Sequence, residues 1–411
     1  MSDTIAALAT APGLSGVAVV RVSGPDAFSV MQAIAQRPAV AGRFVFTKLK
    51  SKTGEVIDEA LVLAFKSPHS YTGEDVVEFQ CHGGSVTPRR VLDAVFEAGA
   101  RLARRGEFTQ RAFLNGRLDY EKAAAVLDLI ESKTSAAADD ALERLGGKRH
   151  AEYKALYEEA LALSTTLEHS LDVDESDIDD EFIHSCDSAL KKLSQRLEKT
   201  IINLKRGRVM QEGTLVVLAG PPNAGKSSLM NALLGEDRAI VSPVAGTTRD
   251  TIEQWLDIGG YPVRLVDTAG LREASDEIEA EGVVRAKNLI ERADLVLAIN
   301  TDIEGALKIH SKCDLSRGEG LNVSSLTKEG LEELKAAIAK RLGEIEPKAD
   351  VSVLDKLMAA KNALDGAFSA IDSVVIANSV RMCAESLADV IGARYSSDML
   401  DRLFSRFCVG K

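Results

Sequence analysis

The chain has 411 residues, and at about 150 residues per domain this length predicts two or three domains. Lys and Arg number 50 against 62 Asp and Glu, so the formal net charge of −12 excludes a protein that coats nucleic acid by bulk electrostatics. Hydrophobic residues make up 45% of the sequence, which is enough for ordinary cores and argues against global disorder.

The apolar runs and the cysteines exclude several further classes. A membrane span needs about 20 apolar residues, whereas the longest uniformly apolar runs, 215–219 and 295–299, have the length of strands. The first residues lack the basic region and the apolar core of a secretion signal. The five cysteines are scattered without a CxxC pair, which argues against a zinc ribbon and a disulfide framework. We therefore expect a cytoplasmic protein that does not bind a membrane.

Residues 1–117 have the pattern of an α+β domain. Short β-rich runs that end in glycine or polar residues occur at 17–24, 60–65 and 75–84. Short helices are predicted at 91–98 and 107–114. This mixture predicts a domain that is distinct from the rest of the chain.

The absence of proline marks two helical regions, 118–210 and 346–411. No proline occurs between residues 89 and 220 or after residue 347, and helix interiors exclude proline. Apolar stripes spaced mainly by three and four residues run through 156–171, 190–204 and 357–375. Such stripes are typical of helices that pack on other helices, and we prefer that interpretation to a cofactor role.

An acidic run separates two of the predicted helices. Residues 172–181 contain seven carboxylates, which superficially suggests a calcium loop. An EF-hand needs glycine at its sixth position and glutamate at its twelfth, where this sequence has Asp177 and Ile183. We therefore interpret the run as a solvated connector.

Residues 211–345 have the pattern of an α/β domain. Strands of the buried type at 215–219, 263–267 and 294–299 are separated by helical stretches, which predicts a parallel sheet with crossovers. Helical sequence flanks this region on both sides. The sequence thus predicts a multidomain α+β protein whose α/β domain is inserted into a loop of a helical bundle.

The strongest motif is GPPNAGKS, Gly220 to Ser227, which fits GxxxxGK[ST] between a strand and an apolar helix. In such a P-loop, backbone N–H groups cradle phosphate oxygens at a helix N-terminus. We expect Lys226 to contact the β- and γ-phosphates and the Ser227 hydroxyl to bind Mg²⁺.

Three further motifs follow the P-loop in the order expected around one sheet. GTTRD at 246–250 supplies a hydroxyl for Mg²⁺ from Thr247 or Thr248, and DTAG at 267–270 places an aspartate at a strand end, where it holds Mg²⁺ through water. SKCD at 311–314 follows the third strand. Its aspartate, Asp314, can accept from guanine N1–H and N2–H, which adenine lacks, so the set predicts GTP.

The SKCD motif resembles the NKxD motif of the translation-factor-related small GTPases, with one departure. Ser311 replaces the asparagine whose amide usually bridges the base and the P-loop, while Lys312 and Asp314 remain. The stretch between the third strand and Lys312 is also short, which predicts that a helix normally found there is truncated.

Four carboxylates are candidates for orienting the attacking water. Many small GTPases have a glutamine directly after DTAG, but this chain has Leu271, which cannot polarise water. The next segment offers Asp276, Glu277, Glu279 and Glu281, and their spacing does not choose among them.

Seven segments of the chain resemble the MnmE (TrmE) family of bacterial tRNA modification GTPases. The segments span all the predicted parts in order, which distinguishes this family from GTPases in general. They lie at 3–24, 71–84, 104–119, 220–234, 239–250, 266–279 and 407–411.

The resemblance implies roles for residues of the nucleotide site. The family glutamate that positions the attacking water aligns with Glu279. The family uses K⁺ in place of an arginine finger, with ligands at positions matching Asn223, Ser242, Val244 and Thr247, so that Thr248 joins Ser227 on Mg²⁺. The implied nucleotide-binding set is Asn223, Ala224, Gly225, Lys226, Ser227, Ser228, Ser242, Pro243, Val244, Ala245, Gly246, Thr247, Thr248, Asp267, Thr268, Ala269, Gly270, Ser311, Lys312 and Asp314.

The resemblance also implies a folate site in the N-terminal domain, which in this family forms a constitutive homodimer. Contacts to tetrahydrofolate, in its 5-formyl or 5,10-methylene form, align with Arg21, Glu78, Arg117 and Lys411, with Arg117 in place of an expected lysine. Cys408 has two interpretations. A lone cysteine beside phenylalanines is usually a small buried hydrophobe, whereas the family cysteine faces the folate pocket and is needed for tRNA modification.

The implied function is a K⁺-activated GTP hydrolase that works with an FAD-containing partner of the MnmG type in a heterotetramer. Together they add an aminomethyl or carboxymethylaminomethyl group to C5 of the wobble uridine, uridine 34, of certain tRNAs. The alternatives are a regulatory GTPase switch in ribosome assembly, of the Era or EngA kind, and a purely structural GTP-dependent dimeriser. Ribosome-assembly GTPases append RNA-binding domains such as KH, but no basic GXXG module follows residue 345.

Overall fold

The structure, a computed structural model, describes residues 3–38, 40–172, 179–236, 253–267, 287–345, 352–391 and 397–411. The chain forms two compact units, one of residues 1–127 with 394–411 and one of residues 128–393. The C-terminal residues therefore belong to the same unit as the N-terminal sheet. Within the described ranges, no helix has both the length and the apolar character needed to cross a membrane.

The first unit is built on a six-stranded sheet with the strand order β3-β4-β5-β2-β1-β6. Neighbouring strands are antiparallel except for the parallel pair β1 and β6. The strands are β1 (Ile5–Leu8), β2 (Ala18–Ser23), β3 (Phe44–Lys50), β4 (Val56–Phe65), β5 (Val76–Cys81) and β6 (Arg101–Leu102). The helices are α1 (Ala27–Ala35), α2 (Thr87–Glu97), α3 (Glu107–Leu114) and, at the end of the chain, α13 (Ser397–Arg406). The main core lies between this sheet and helices α1 and α2.

The second unit contains a helical bundle. Its helices are α5 (Ser135–Leu145), α6 (Lys148–Ser170), α7 (Asp180–Glu212), α11 (Ser352–Ser369) and α12 (Ser373–Ile391), while α4 (Tyr120–Glu131) spans the boundary between the units. The bundle core comes from α6, α7, α11 and α12. Because α7 and α11 lie on opposite sides of the α/β domain in sequence, that domain is inserted into the bundle, as predicted.

The predicted stripe at 190–204 lies on one helix, that at 156–171 lies on α6 except for its last residue, the C-cap Leu171, and the third does not lie on one helix. The stripe at 190–204 is buried in the bundle core, as are Leu156, Ala160 and Leu163 of the first stripe. The prediction of one continuous face over 357–375 is wrong, because α11 ends at Ser369 and a new helix begins at Ser373. Asp372 accepts a hydrogen bond from the N–H of Val374 at 2.8 Å, which favours a helix start.

Part of the acidic run lies outside the described residues. Of the described residues, Asp179 is the N-cap of α7, and its side chain accepts a hydrogen bond from the N–H of Phe182 at 2.8 Å. A carboxylate at a helix start also interacts favourably with the helix dipole. This end of the run therefore starts a helix.

The inserted domain has a second six-stranded sheet, with the order β12-β11-β10-β7-β9-β8. All its pairs are parallel except β8 with β9. The strands are β7 (Thr214–Ala219), β8 (Glu253–Ile258), β9 (Tyr261–Asp267), β10 (Leu295–Ile299), β11 (Leu307–Ser311) and β12 (Leu321–Val323). The helices are α8 (Lys226–Glu236), α9, whose described part covers 287–292, and α10 (Leu331–Gly343).

The connection from β10 to β11 contains no helix. Residues 300–306, all described, join two adjacent parallel strands, a link that is usually made by a helix. This agrees with the expected truncation. On β11, Lys308 forms ion pairs with Asp302 and Glu319, and His310 hydrogen-bonds to Ser316. Partly exposed polar side chains thus occupy alternate positions of this strand.

Candidate functional site

The P-loop lies between β7 and α8, at the carboxyl edge of the parallel sheet. A Cβ at Gly220 would lie 2.3 Å from the carbonyl oxygen of Ile299, so only glycine fits where these strands end side by side. Asn223 and Gly225 have positive φ values of 60° and 85°. Such left-handed residues within a loop turn successive N–H groups toward one side and create an anion-binding concavity. The loop therefore has the backbone form that cradles phosphate.

Lys226 places a positive charge within this loop. Its side chain is buried, and Nζ donates to the carbonyl oxygens of Gly220 and Pro221 at 2.9 and 2.8 Å. These bonds hold the ammonium against the loop backbone, where it complements the negative charge of a phosphate.

Ser227 and Asp267 meet beside the P-loop. The Ser227 hydroxyl donates to Asp267 Oδ2 at 2.6 Å, and Asp267 is the last residue of β9, the parallel neighbour of β7. A hydroxyl and a buried carboxylate are the oxygen ligands that Mg²⁺ prefers. The residues therefore fit Mg²⁺, while the other expected ligand, Thr248, lies outside the described residues.

Ser311, at the end of β11, and Lys312, directly after it, contact the P-loop. The Ser311 hydroxyl donates to the carbonyl oxygen of Ala224 at 2.6 Å, and Lys312 Nζ donates to that of Asn223 at 3.1 Å. Asp314 is exposed, so its carboxylate is accessible to a base. The structure thus brings the serine and lysine of the SKCD motif to the P-loop, as their sequence order predicts.

Asn300 is a site residue that the sequence patterns do not reveal. It follows β10 directly and makes two hydrogen bonds to Ser311. Asn300 Nδ2 donates to Ser311 Oγ at 2.8 Å, and Asn300 Oδ1 accepts from the Ser311 N–H at 3.0 Å. The available sequence signal is an asparagine at the end of an apolar strand, which ordinarily indicates only a turn.

The loop after β12 is a second feature that the motifs do not identify. Buried Ser324 accepts hydrogen bonds from the N–H groups of Leu326 and Thr327, at 3.3 and 3.2 Å. The N–H of Cys313 donates to the carbonyl oxygen of Val323 at 3.3 Å. This loop therefore packs beside the segment that carries Asp314.

The GTTRD motif and all of the DTAG motif except Asp267 lie outside the described residues. Of the expected K⁺ ligands, only Asn223 is described, and its side chain is exposed. Ser228 lies in the first turn of α8 beside Ser227 and is also exposed. The predicted residues that lie outside the described ranges are Ser242, Pro243, Val244, Ala245, Gly246, Thr247, Thr248, Thr268, Ala269, Gly270 and Glu279.

A second group of predicted residues meets in the first unit. Arg21 on β2 faces Glu78 on β5, and Arg21 Nε donates to Glu78 Oε1 at 2.8 Å. The guanidinium carbon of Arg21 lies 5.3 Å from the centre of the Tyr71 ring and 5.8 Å from that of Phe108. Lys411 Nζ lies 5.3 Å from the same Tyr71 ring. Arg21 and Lys411 therefore lie over one tyrosine, and Glu78 joins them through its ion pair with Arg21.

The electrostatics of this group favour an anionic ligand. Burial lowers the pKa of Lys411 below its usual 10.5, and Arg21 lowers it further while Glu78 opposes the shift. Within the described part of the chain, the buried Nη1 of Arg21 has no hydrogen-bond partner. A carboxylate would satisfy this N–H and favour the charged form of Lys411. The residues therefore fit an acidic group such as the glutamate tail of folate.

Arg117 does not join this group by hydrogen bonds. Its aliphatic carbons lie along the segment after Tyr71, because a Cβ at Gly73 would be 3.1 Å from Arg117 Cγ. Among the described residues, it forms no ion pair with Glu78. The structure thus places Arg117 beside the segment that follows Tyr71.

Cys408 is exposed, whereas Phe404 and Phe407, which precede it, are buried. The interpretation of Cys408 as a small buried hydrophobe is therefore wrong. The chain around it is held firmly. Val409 forms a β-bridge with Arg105, and a Cβ at Gly410 would lie 2.1 Å from the carbonyl oxygen of Leu8.

Two family models match the chain. The model for the GTP-binding protein TrmE N-terminus matches residues 4–117, and the model for the MnmE helical domain matches residues 121–408. The chain belongs to the MnmE family. Relatives named "tRNA modification GTPase MnmE" are matched over nearly their whole length. The relative from Caulobacter vibrioides is 40% identical over 100% of both chains, and that from Nitrosomonas europaea is 38% identical over 100% of this chain and 99% of its own.

Solved structures show a weaker likeness to this MnmE family member. The G domain of the T. maritima FeoB iron transporter is 28% identical, with a TM-score of 0.24 over 31% of this chain and 98% of its own. A GTP-binding protein from Sulfolobus solfataricus in complex with GDP is 16% identical, with a TM-score of 0.24 over 60% and 82% of the two chains. TM-scores of 0.24 do not indicate a shared fold.

Proposed function

We infer that this chain is a GTP hydrolase that takes part in tRNA modification, in line with the name of its MnmE relatives. The observation that carries this inference is the construction of the P-loop. The Ser227–Asp267 hydrogen bond stands on one side of it, and the Ser311–Ala224 hydrogen bond stands on the other. Residues from three of the four sequence motifs thus meet at one edge of a parallel sheet, the usual ligand site of such sheets.

The described residues divide the work of binding GTP. The P-loop N–H groups and Lys226 bind and orient the phosphates. Asp314 selects guanine because its carboxylate accepts from the N1–H and N2–H groups of the base. When bound to Ser227 and Thr248, Mg²⁺ would neutralise charge on the β- and γ-phosphate oxygens. The buried Asp267 carboxylate accepts from the Ser227 hydroxyl and so orients it.

We propose that Glu279 positions the attacking water and that K⁺ replaces an arginine finger. The support is the family resemblance together with Leu271, which cannot hold water. The K⁺ ligands are Asn223, Ser242, Val244 and Thr247. A cation near the β,γ-bridging oxygen would stabilise the charge that develops there.

We also propose that the first unit binds tetrahydrofolate at Arg21, Glu78 and Lys411. The support is the orphan Nη1 of Arg21 and the lowered pKa of Lys411. Arg117, which lies beside the segment after Tyr71, is the fourth residue that we propose for this site. Cys408 is exposed in the same C-terminal tail as Lys411, which makes it accessible to a reacting group.

The full function that we propose is addition of an aminomethyl or carboxymethylaminomethyl group to C5 of the wobble uridine of certain tRNAs. The chain would act in the cytoplasm as a homodimer, with an MnmG-type flavoprotein that supplies FAD. The net charge of −12 supports this division of labour, because it suggests that the basic surface for tRNA lies mainly on the partner. A ribosome-assembly switch is disfavoured, because the model for the MnmE helical domain matches residues 121–408, which include the helices before and after the nucleotide domain.

The direct test is GTP hydrolysis by the purified full chain in K⁺ and in Na⁺. We expect a loss of about 10² to 10³ in rate when Na⁺ replaces K⁺, the size of one electrostatic contact to the transition state. Glu279→Gln should retain GTP binding and lose hydrolysis, while Glu281→Gln, the matched control, should behave like the parent. Equal rates in the two salts would reject the potassium proposal, and no hydrolysis in either would reject the GTPase itself.

The modification chemistry needs a cellular test. Mass spectrometry of wobble uridines should show the C5 group in a strain that carries this gene and its absence in a deletion strain. A complementing copy with Glu279→Gln should not restore the group, whereas Glu281→Gln should. An unchanged wobble uridine in the deletion strain would favour the regulatory-switch alternative.

A further inference from the structure

Backbone contacts hold Asn300 in place at the end of β10. Its N–H donates to the carbonyl oxygen of Ile309 at 2.9 Å, and its φ of 51° turns the chain out of β10. The residue before it, Ile299, lies so close to Gly220 that no side chain fits between them. The Asn300 side chain therefore starts from a rigid position beside the P-loop.

The two hydrogen bonds between Asn300 and Ser311 determine the direction of the serine hydroxyl. Asn300 Nδ2 donates to Ser311 Oγ at 2.8 Å, so the hydroxyl oxygen acts as the acceptor in that bond. The single hydroxyl proton is then directed to the carbonyl oxygen of Ala224, at 2.6 Å. Ser311 is buried, so water does not readily compete for these bonds.

The bond to Ala224 fixes the orientation of a peptide group in the P-loop. A trans peptide is planar, with its C=O and N–H pointing in opposite directions. Holding the carbonyl of Ala224 against Ser311 therefore directs the N–H of Gly225 away from Ser311. Lys312 holds the preceding carbonyl, that of Asn223. Two consecutive peptide groups are thus fixed from outside the loop, as a preformed phosphate cradle requires.

We propose that Asn300 is a positioning residue for the nucleotide, and that it acts on the P-loop through Ser311. Asn300 and Ser311 together do the structural work of the one longer amide that the NKxD motif has at position 311. The chain of hydrogen bonds from Asn300 through Ser311 to Ala224, called the relay below, extends the proposed GTP-binding function and rests on it. The short connection 300–306 favours this arrangement, because it keeps Asn300 at the end of the strand next to Ser311.

The relay makes a specific claim about pairs of variants. Asn300→Ala and Ser311→Ala should each raise the dissociation constant for GDP by about 2- to 10-fold, the effect of one hydrogen bond. The double variant should be no worse than the Ser311→Ala variant, because residues in one chain of bonds are not additive. Lys308→Met is the matched control. It lies on the same strand and pairs with Asp302 of the same connection, but it does not touch the P-loop, so GDP affinity should not change.

A rescue experiment separates positioning from a merely structural role. In the parent, the Asn300 amide lies 2.8 Å from Ser311 Oγ, so Ser311→Asn should be crowded and should weaken GDP binding. In the Asn300→Ala background the vacated space admits the longer amide, and Ser311→Asn should restore the affinity. A side chain that only stabilised the fold would not show this exchange of position.

The measurements are titrations of the full chain with a fluorescent GDP analogue, and thermal unfolding without nucleotide. The proposal requires weaker binding by Asn300→Ala, non-additivity with Ser311→Ala, and rescue by Ser311→Asn. Unchanged affinity of Asn300→Ala, or multiplied effects in the double variant, would overturn it. Loss of affinity that merely follows a lower melting temperature would also overturn it. Failure of the parent chain to bind GDP would instead refute the proposed GTPase, so the two failures are distinguishable.

Discussion

Two arginines of the first unit, the buried Arg111 and the partly buried Arg21, are satisfied to very different degrees. Arg111 is 1% exposed, and both of its terminal nitrogens meet carboxylates: Nη1 bonds to Glu74 at 3.1 Å, and Nη2 bonds to Asp3 and Glu107 at 2.9 and 3.2 Å. Its Nε has no hydrogen-bond partner in the described part of the chain. Arg21 has one carboxylate partner, Glu78, through Nε, while its buried Nη1 has no described partner.

The difference separates a structural cation from a ligand-binding one. A buried charge is costly unless it is paired, so Arg111, with three carboxylates around it, links elements of the sheet domain. Arg21 has fewer carboxylate partners than Arg111 and lies near a second cation, Lys411. Burial lowers the pKa of Lys411. Two cations with one carboxylate between them favour an anion, and this is the physical basis of the proposed folate site.

The largest expected effect is on stability, from Glu107→Gln. Glu107 is fully buried and bonds to Arg101, Arg111 and the N–H of Arg104. Removing its charge should destabilise the first unit by about 3–5 kcal/mol, as when a buried ion pair is broken. Denaturant unfolding of the full chain, followed by hydrogen exchange in α3, measures this. The matched variant is Glu78→Gln, whose partner is partly exposed, and it should cost far less stability. Equal losses in the two variants would remove the distinction between the arginines.

The same carboxylate predicts an acid transition. Burial alone would raise the pKa of Glu107, but hydrogen bonds from Arg101, the Arg104 N–H and Arg111 outweigh it and lower the pKa to about 2 from 4.5. A lowered carboxyl pKa stabilises the folded state above the unfolded value, and this stabilisation is lost as the pH falls from 4.5 toward 2. Melting temperatures of the first unit should fall through this window in the parent and less steeply in Glu107→Gln. Parallel pH profiles would contradict the assignment.

Arg21→Gln tests the other side of the comparison. It should weaken binding of 5-formyltetrahydrofolate by about 10- to 150-fold, since hydrogen bonds to charged groups contribute about 1.5–3 kcal/mol. Stability should change little, because Arg21 has one carboxylate partner. Calorimetric titration of the full chain measures the affinity. Arg90→Gln is the control for charge, because Arg90 pairs with exposed Glu55 and is not one of the predicted folate residues, and an equal loss there would show that general electrostatics accounts for binding.

The smallest expected effect is a pH dependence of folate affinity. The pKa of Lys411 is lowered chiefly by burial, so this ammonium loses its proton at lower pH than an ordinary lysine. A bound carboxylate favours the charged form, so binding should take up protons and weaken as the pH rises toward 10.5. Titrations in buffers of different ionisation enthalpy detect the uptake. Lys411→Gln should abolish it, and uptake that persists in this variant would assign the proton to another group.

The sequence predicts most of the nucleotide domain, because its information is local. A strand, a P-loop and a helix follow one another within about 25 residues, and their order implies the edge where they meet. The missing helix between β10 and β11 was also predictable, since the residues between the strands are too few to form one. Asn300 was not predictable, because its role depends on the position of Ser311 on the neighbouring strand.

The first unit was less predictable, because its key contacts join distant parts of the chain. Arg111 binds Asp3 across 108 positions, and nothing in the pattern around either residue indicates that the arginine is buried. Strand β1 was missed because its short apolar run, IAAL, does not alternate; three of its four residues are buried, so both faces are covered. The apolar stripe at 357–375 misled because two consecutive helices with similar spacing read as one.

Helix α7 is long and is joined almost directly to the nucleotide-binding sheet. It has 33 residues, a length of about 50 Å, and Gly213 alone separates it from β7, the strand that leads into the P-loop. The joint is tight, because a Cβ at Gly213 would lie 2.8 Å from the Trp255 ring. If the sheet and α7 rotated together as one rigid body about Gly213, a rotation of about 10° would move the far end of the helix by about 9 Å. A small rearrangement around a phosphate would thus be magnified into a displacement the size of a helix diameter.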